Sequence, residues 1–527
     1  MNILIAEKLA DAGVELFRAQ QGWNVIVSNP KEYQNHLADA DALVVRSAVQ
    51  VTREVLAKAP KLRVIGRAGV GVDNVDLDAA TEAGVLVMNT PGGNAVSVAE
   101  HTLALMLSLA RRIPQATVST KAGKWEKKSL LGSELRGKTL GVVGLGSIGR
   151  EVVKRARSFE MRVVGHDPYV TSRIARDLNV ELVELDELYA QSDYISLHLA
   201  LTPETNGVLS AEAFGKMKDG VRIVNCARGE LVDEAALLEA IQSGKVAGAA
   251  LDAFSKEPPP PGFPLFALDP VLATPHIGGS TEEAQEIVGV RIAEQMVEYL
   301  ANGVAINAVN MPALSPEQYK TLAPFLTLAE RLGAFASQIA SGNPTAFRVV
   351  YRGKIAEGDT NLLRAAALAG GLTRSCTEKV NVVNAVQIAQ QRGWNLAERH
   401  EGRAGHSDSI RVEIETDSGV TAVEGAVLPT GERLIGVNDI ACEAPLCGHL
   451  LFMMNADVPG VIGHVGSVLG RNGVNIGNFS LGRRELPGGA PTEAVSVVST
   501  DHMVSDDVVA QLFENPAVKV ARAFAIA

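Results

Sequence analysis

A chain of 527 residues is too long for one hydrophobic core, and roughly 100–200 residues per domain predicts three or four domains. Hydrophobic residues make up 46 % and charged residues 21 %, as in soluble globular proteins, and the net charge of −11 excludes a general nucleic-acid or anionic-membrane surface, so an anionic substrate needs a local basic pocket. Met1–Glu7 is not a signal peptide, no apolar run reaches the ~20 residues of a bilayer span, and four scattered cysteines make no disulfide framework, so reduced thiols in the cytoplasm are expected.

Residues 1–300 alternate short β-branched runs with amphipathic stretches, the pattern of a parallel α/β protein. Strands are predicted at Asn2–Ala6, Ala42–Arg46 and Leu62–Arg67, followed by a long, mostly apolar helix at Val96–Arg111. Further strands are predicted at Leu140–Val143, Arg162–Gly165, Tyr194–Leu197, Arg222–Asn225 and Ala247–Leu251. A second long helix, Glu282–Asn302, stops at Asn302-Gly303. If that helix packs back on the first block of strands, the second block is an insertion. The expected division is then one lobe from 1–96 and 282–310 and a nucleotide-binding lobe from 97–281. Pro312, Ser315 and Pro316 mark a linker into an α+β region, 311–445, with a helix at Ala323–Ser341 and strands at Phe347–Tyr351 and Ile410–Thr416. Residues 446–527 carry a strand (His449–Met454), a turn (Asp457–Gly460), a helix (Val461–Arg471), strands at Val474–Ser480 and near Ala494–Ser499, and a helix near Val504–Glu514. That order is a βαββαβ module.

The chemistry begins at Gly144-Leu145-Gly146-Ser147-Ile148-Gly149, between the strand ending at Val143 and an amphipathic helix. Gly144 suits a tight turn, Gly146 lets backbone approach a pyrophosphate, and Gly149 lets helix and strand pack closely. Amide groups at the helix N-terminus meet the phosphates. Asp167 stands at the end of the next strand, about twenty residues after the first glycine, where an acid accepts hydrogen bonds from the ribose hydroxyls. A carboxylate there repels a 2′-phosphate, which favours NAD over NADP.

Three later segments put reactive groups at strand ends, where open α/β sheets place ligands. They are Arg228 in Cys226-Ala227-Arg228-Gly229, Asp252 with Glu257, and His276 in Pro275-His276-Ile277-Gly278-Gly279. Oxidising a secondary alcohol needs a base for the hydroxyl proton, a cation for a neighbouring carboxylate, and a carboxylate to orient the base. His276 suits the first role, Arg228 the second and Glu257 the third. His101, in an apolar helix, and His198, at a strand end, are read as structural. No metal site is expected.

Taken together, Gly144–Gly149, Cys226–Gly229, Glu257-Pro258-Pro259 and Pro275–Gly279 resemble the D-isomer-specific 2-hydroxy-acid dehydrogenases, as do Gly66–Asp76 and Thr90–Asn94. The tail from Asp457-Val458-Pro459-Gly460 to Val474-Asn475-Ile476 is similar to an ACT domain, and 317–440 resembles the intervening domain of the family's long form. The resemblance implies a Rossmann-type nucleotide-binding lobe inserted in a flavodoxin-like substrate lobe, both doubly wound parallel sheets. It implies NAD contacts from Ser147, Ile148, Asp167, Cys226, Ala227, Arg228, Asp252, His276, Gly278 and Gly279. It implies oxidation of 3-phospho-D-glycerate, the entry step of serine synthesis. Arg46 and Lys127, taken as first-lobe contacts, would meet the phosphate; Arg67, Val70, Gly71 and Asn94 would complete the substrate site. Serine is the implied effector, bound between the tails of two subunits through Asn455, Asp457 and Asn475, in a homotetramer. Asn455 stands where relatives place a hydrogen-bonding ring. Two other readings are a reductase of glyoxylate or hydroxypyruvate, and an NAD-sensing corepressor-like scaffold.

Overall fold

Strands covered on both faces need continuous apolar runs rather than alternation, and the short Val/Ile/Leu runs of the first half meet that need. The computed structural model describes residues 1–312, 314, 316–376, 379–402, 408–484 and 492–526; Ser315 of the expected linker lies outside them. Strands β1 (Asn2–Ile5), β2 (Asn24–Val27), β3 (Ala42–Val45), β4 (Val64–Arg67) and β5 (Leu86–Met88) form a parallel sheet in the order β2-β1-β3-β4-β5. Helices α1 (Asp11–Arg18), α2 (Arg53–Ala57) and α3 (Leu77–Glu82) connect these strands.

The chain leaves this lobe through α4 (Ala95–Arg111) and α5 (Ile113–Lys121). The second sheet holds β6 (Thr139–Val143), β7 (Arg162–His166), β8 (Glu181–Leu182), β9 (Tyr194–Leu197), β10 (Val221–Asn225), β11 (Val246–Leu251) and β12 (Val271–Ala273). All seven are parallel, in the order β12-β11-β10-β9-β6-β7-β8. Its helices are α6 (Ser147–Ser158), α7 (Ser172–Leu178), α8 (Leu185–Gln191), α9 (Ala211–Lys216) and α10 (Glu234–Gln242). Helix α11 (Glu282–Asn302) then returns to the first sheet, packs on α1 and β4, and buries Ile292, Ala293 and Met296 in that sheet's core. The carboxyl ends of β3 and β4 thus face those of β10 and β11 across one cleft.

The next region opens with α12 (Pro316–Ile339), which starts seven residues before the expected Ala323. Pro316 is the first helical residue rather than linker, a position where proline's missing N–H costs nothing, and Pro324 is accommodated inside the helix. The mixed six-stranded sheet of β13 (Pro344–Arg352), β14 (Asn395–Glu401), β15 (Ser409–Thr416), β16 (Gly419–Leu428), β17 (Gly431–Val437) and β18 (Ile440–Pro445) runs β14-β13-β15-β16-β17-β18, with α13 (Asn361–Leu372) and α14 (Ala385–Gln391). The loop before α14 docks on the first lobe. Asn381 Nδ2 donates to the Gly84 carbonyl at 2.7 Å, Lys379 Nζ to the Leu62 carbonyl at 3.1 Å, and Val383 enters that lobe's core.

The last module, β19 (Gly448–Ala456), α15 (Val461–Arg471), β20 (Ile476–Arg483), β21 (Glu493–Thr500), α16 (Asp506–Leu512) and β22 (Val518–Ile526), has the βαββαβ order, with strands arranged β20-β21-β19-β22. One sheet face carries its two helices. The other packs on α12, where Phe335 lies 5.9 Å from Phe452 and 5.3 Å from Phe524, edge to face. Among the described residues no helix is long and apolar enough to cross a membrane.

Candidate active site

Beyond β6 the backbone turns at Gly144, whose φ of 95° belongs to the left-handed region. Its N–H donates to the His166 carbonyl at 2.9 Å, and a Cβ there would stand 2.6 Å from the His198 carbonyl oxygen. A Cβ on Gly149 would stand 2.0 Å from the Gly144 oxygen. Gly146 differs: it is the N-cap of α6, and the space where its Cβ would point is open. Two glycines therefore serve the protein's own packing, and the third leaves room for a ligand against helix amides that no side chain caps. Ser147 and Ile148 open that helix. Asp167 follows β7; Oδ2 accepts the Leu145 N–H at 2.8 Å and Oδ1 the Tyr169 N–H at 2.9 Å. Each oxygen retains acceptor capacity for a ribose hydroxyl. The loop and acid fit a dinucleotide. Behind them His198 is half-buried, with Nε2 2.8 Å from Ser196 Oγ and no partner for Nδ1; loss of solvent around the ring pushes its pKa down to about 3, so it is neutral.

His276 lies just past β12 with φ 53°, and its N–H donates to the Thr274 carbonyl at 3.0 Å. This turn swings the ring toward Glu257, so that Nδ1 lies 2.7 Å from Glu257 Oε2, while Oε1 accepts the Phe254 N–H at 3.1 Å. An Nδ1–H given to the carboxylate leaves the Nε2 lone pair free. Beneath the loop sits Asp252, 1 % exposed, accepting from Thr274 Oγ1 (2.6 Å) and the amides of Ile277 (2.9 Å) and Gly278 (2.8 Å). Burial raises the Asp252 pKa, but these bonds and His101 outweigh it and hold the carboxyl below its usual value. His101 reaches down from α4, its Nε2 3.2 Å from Thr274 Oγ1 and 3.4 Å from Asp252 Oδ1. Cys226 completes this knot, with donor atoms of His101, Cys226 and Asp252 all within 4.8 Å; burial pushes its thiol up to about 12. Asn94 stands at the N-cap position of α4 beside Gly279 without bonding the helix amides, and its buried Oδ1 has no hydrogen-bond partner.

Arg228 follows β10 on a turn set by Asn225, which accepts the Ala227 N–H at 3.0 Å and donates to the Arg228 carbonyl at 2.7 Å. Its guanidinium crosses the cleft to Asp73. Arg67 lies alongside at the end of β4; burial first, then Arg228, push its pKa down to about 10, and its Nε has no partner. Glu7 organises the Arg46 loop by accepting the N–H groups of Arg46 (2.8 Å), Ala48 (3.2 Å) and Val49 (3.0 Å). Arg46 lines a cavity of about 290 Å³ with Lys8, Ala68 and Gln285. Val70 and Gly71 lie in the loop between Arg67 and Asp73, and the Val70 carbonyl accepts from Asn89 Nδ2 at 2.6 Å.

Lys127 stands apart from Arg46 in the chain's layout. It does not belong to the first lobe: it follows α5, exposed, with its ammonium 5.5 Å above the Trp125 ring. The charges acting on Arg67 are those of Arg228, Asp73, Glu7 and Arg46. Sequence reasoning missed Asp73, Glu7, Thr274 and the inward reach of His101. Asp73 had a signal, as an acid inside the glycine-rich turn Gly69-Val70-Gly71-Val72-Asp73. The others are marked only by three-dimensional proximity.

In the tail, Asn455 is 4 % exposed and its Oδ1 is unpartnered; Asp457 pairs with Arg483 at 2.8 Å; Asn475 donates to Asp501 at 2.9 Å. Strand register puts Ile476 level with His449 and Arg483 level with Asn455. Asn475 therefore lies at the opposite end of the sheet from Asn455 and Asp457.

Three family models match successive parts of the chain: the D-isomer specific 2-hydroxyacid dehydrogenase NAD binding domain over 103–278, the D-3-phosphoglycerate dehydrogenase intervening domain over 321–438, and the ACT domain over 449–517. The chain is 42 % identical to the D-3-phosphoglycerate dehydrogenase of Methanocaldococcus jannaschii over 98 % of both chains, and 38 % identical to that of Bacillus subtilis over 98 % of both. Among solved structures, a D-lactate dehydrogenase from Aquifex aeolicus complexed with NAD and lactic acid is similar over 59 % of this chain and all of that one, with TM-score 0.52 and 29 % identity.

Proposed function

We propose that this chain, which belongs to the D-3-phosphoglycerate dehydrogenases of the D-isomer-specific 2-hydroxyacid dehydrogenase family, oxidises 3-phospho-D-glycerate to 3-phosphohydroxypyruvate at the start of serine synthesis. The observation that carries this reading is the His276–Glu257 contact of 2.7 Å, at a cleft that also holds Arg228, Arg67 and Arg46. NAD, seated on the Gly144–Gly149 loop, supplies the hydride acceptor. His276 Nε2 takes the hydroxyl proton, and Glu257 keeps Nδ1–H oriented and offsets the imidazolium charge. Arg228 binds the carboxylate and polarises the alcohol oxygen, with the Gly71 backbone and Asn94 beside it. Arg67 and Arg46 hold the phosphate in a protein that is otherwise acidic. The four free cysteines suit a reducing compartment such as the cytoplasm.

Replacing His276 by Ala is expected to lower turnover by about a hundredfold or more, the scale of a lost general base, while NADH binding followed by fluorescence persists. Turnover near that of the parent chain contradicts the assignment.

Regulation by serine fits the tail. Asn455 offers an unpartnered buried oxygen, and Asn475, at the far end of the same sheet, can join Asn455 and Asp457 only from a second copy. Serine then binds between paired ACT modules of a homotetramer, β20 being an edge strand of that sheet. Calorimetry with serine is expected to give saturable binding that is weakened in Asn475→Ala; absence of heat with the unaltered chain removes this part of the reading.

A further inference from the structure

The cation that completes the anion pocket comes from the other side of the cleft. Arg228 follows β10 of the nucleotide-binding lobe, whereas Arg67 ends β4 of the other lobe and Gly71 and Asp73 follow it. Arg228 Nε and Nη2 both donate to Asp73 Oδ2, at 3.0 and 2.8 Å, and Nη1 donates to the Ala227 carbonyl at 2.8 Å. A guanidinium has five N–H bonds in one rigid plane. These contacts occupy the edge beside Nε and one hydrogen of Nη1. One hydrogen on Nη1 and one on Nη2 stay free, the end-on pair that grips a carboxylate with two parallel bonds. The assembly rests on Gly71, where a Cβ would stand 1.9 Å from Arg228 Nη2 and 2.7 Å from Asp73 Oδ2. Arg67 is pushed down by burial and by Arg228, and Asp73 opposes that shift. Without Asp73, two guanidiniums would face each other in a half-buried pocket with no anion between them, and the long Arg228 side chain could relieve the repulsion by swinging back to its own lobe.

We infer that Asp73 is a positioning residue: it draws Arg228 across the cleft and holds it by its Nε edge, so that the end-on pair faces the substrate carboxylate. The inference rests on the proposed reaction for the identity of that carboxylate, and on the two-lobe geometry for the rest. Asp73 acts on hydroxy-acid affinity and leaves the dinucleotide loop untouched.

The test uses the full-length chain, NAD reduction by 3-phospho-D-glycerate, and NADH affinity by fluorescence. Asp73→Ala is expected to raise the KM for the hydroxy acid by at least about tenfold, the scale of a lost charge-assisted hydrogen bond, and to leave the NADH Kd within about twofold. Asp73→Asn, which keeps an acceptor oxygen on the same stem, recovers part of the loss. In an Arg228→Lys background Asp73→Asn becomes nearly silent, because the two residues act as one unit. An unchanged KM in Asp73→Ala overturns the inference, as does a parallel rise in KM and NADH Kd, the mark of general damage. If Asp73→Ala does not fold, Asp73→Asn carries the same comparison. A chain that turns over no 2-hydroxy acid sinks the proposed function alone. Calorimetry with oxalate then reads the Arg228 grip directly: weaker binding in Asp73→Asn supports the inference, and equal binding overturns it.

Discussion

Histidines 101, 198 and 276 all stand near the ends of strands or beside them, and their neighbours decide what each can do. His276 meets Glu257 and keeps one nitrogen free; His101 is drawn into the Asp252–Thr274 knot; His198 is half-buried beside Ser196. Folded, His198 stays neutral down to about 3, whereas the unfolded chain protonates it near 6.5. Between those values the unfolded chain holds the extra proton. The contribution of His198 to stability is therefore intact above 6.5 and lost as pH falls toward 3, at up to about 1.4 kcal/mol per pH unit. His198→Gln is expected to flatten the acid limb of Tm against pH; an unchanged limb contradicts the buried neutral state. Arg228, Glu257 and His276, the trio proposed for catalysis, could be singled out in the sequence because all three follow predicted strands of one sheet. Asp73 and Glu7 were not, since each acts on a partner more than a hundred or several tens of residues away, and no local pattern records that distance.

Helices and strands of the first two sheets were legible where apolar runs are bounded by turn residues, and boundaries moved by one or two residues at β3, β4 and β11. The region after residue 310 was harder to read. Pro324 sits inside α12, and β16 and β17 carry glycines and charges that do not alternate cleanly with apolar positions, because register shifts interrupt their pairing. The β6–α6 turn offers the sharpest test of an element. Gly146→Ala points into open space, so Tm is expected to stay near that of the parent chain while KM for NAD rises by about tenfold or more as the methyl meets the pyrophosphate. Gly149→Ala drives a methyl into the Gly144 carbonyl and is expected to lower Tm as well. Equal effects of the two on Tm and KM contradict the separation of packing from binding.

At the scale of the molecule, the sequence carried the idea of an inserted lobe through the length and apolar stripe of α11, and α11 does pack on α1 and β4. It did not carry the way the later regions join. The ACT sheet and α12 share one core around Phe335, and the Lys379–Asn384 loop ties that body to the first lobe at the amino ends of β4 and β5. A change at the tail thus has a packed route to the lobe that bears Arg46, Arg67 and Asp73. The central assignment, a dehydrogenase that selects a phosphorylated acid, is tested most directly by NADH oxidation with 3-phosphohydroxypyruvate and with hydroxypyruvate under the same conditions. Arg67 and Arg46, the two arginines assigned to the phosphate, predict kcat/KM higher for the phosphorylated acid by about a hundredfold, or ~2.7 kcal/mol, with much of that ratio lost in Arg46→Ala. Equal kcat/KM for the two acids, or a ratio untouched by Arg46→Ala, would contradict it.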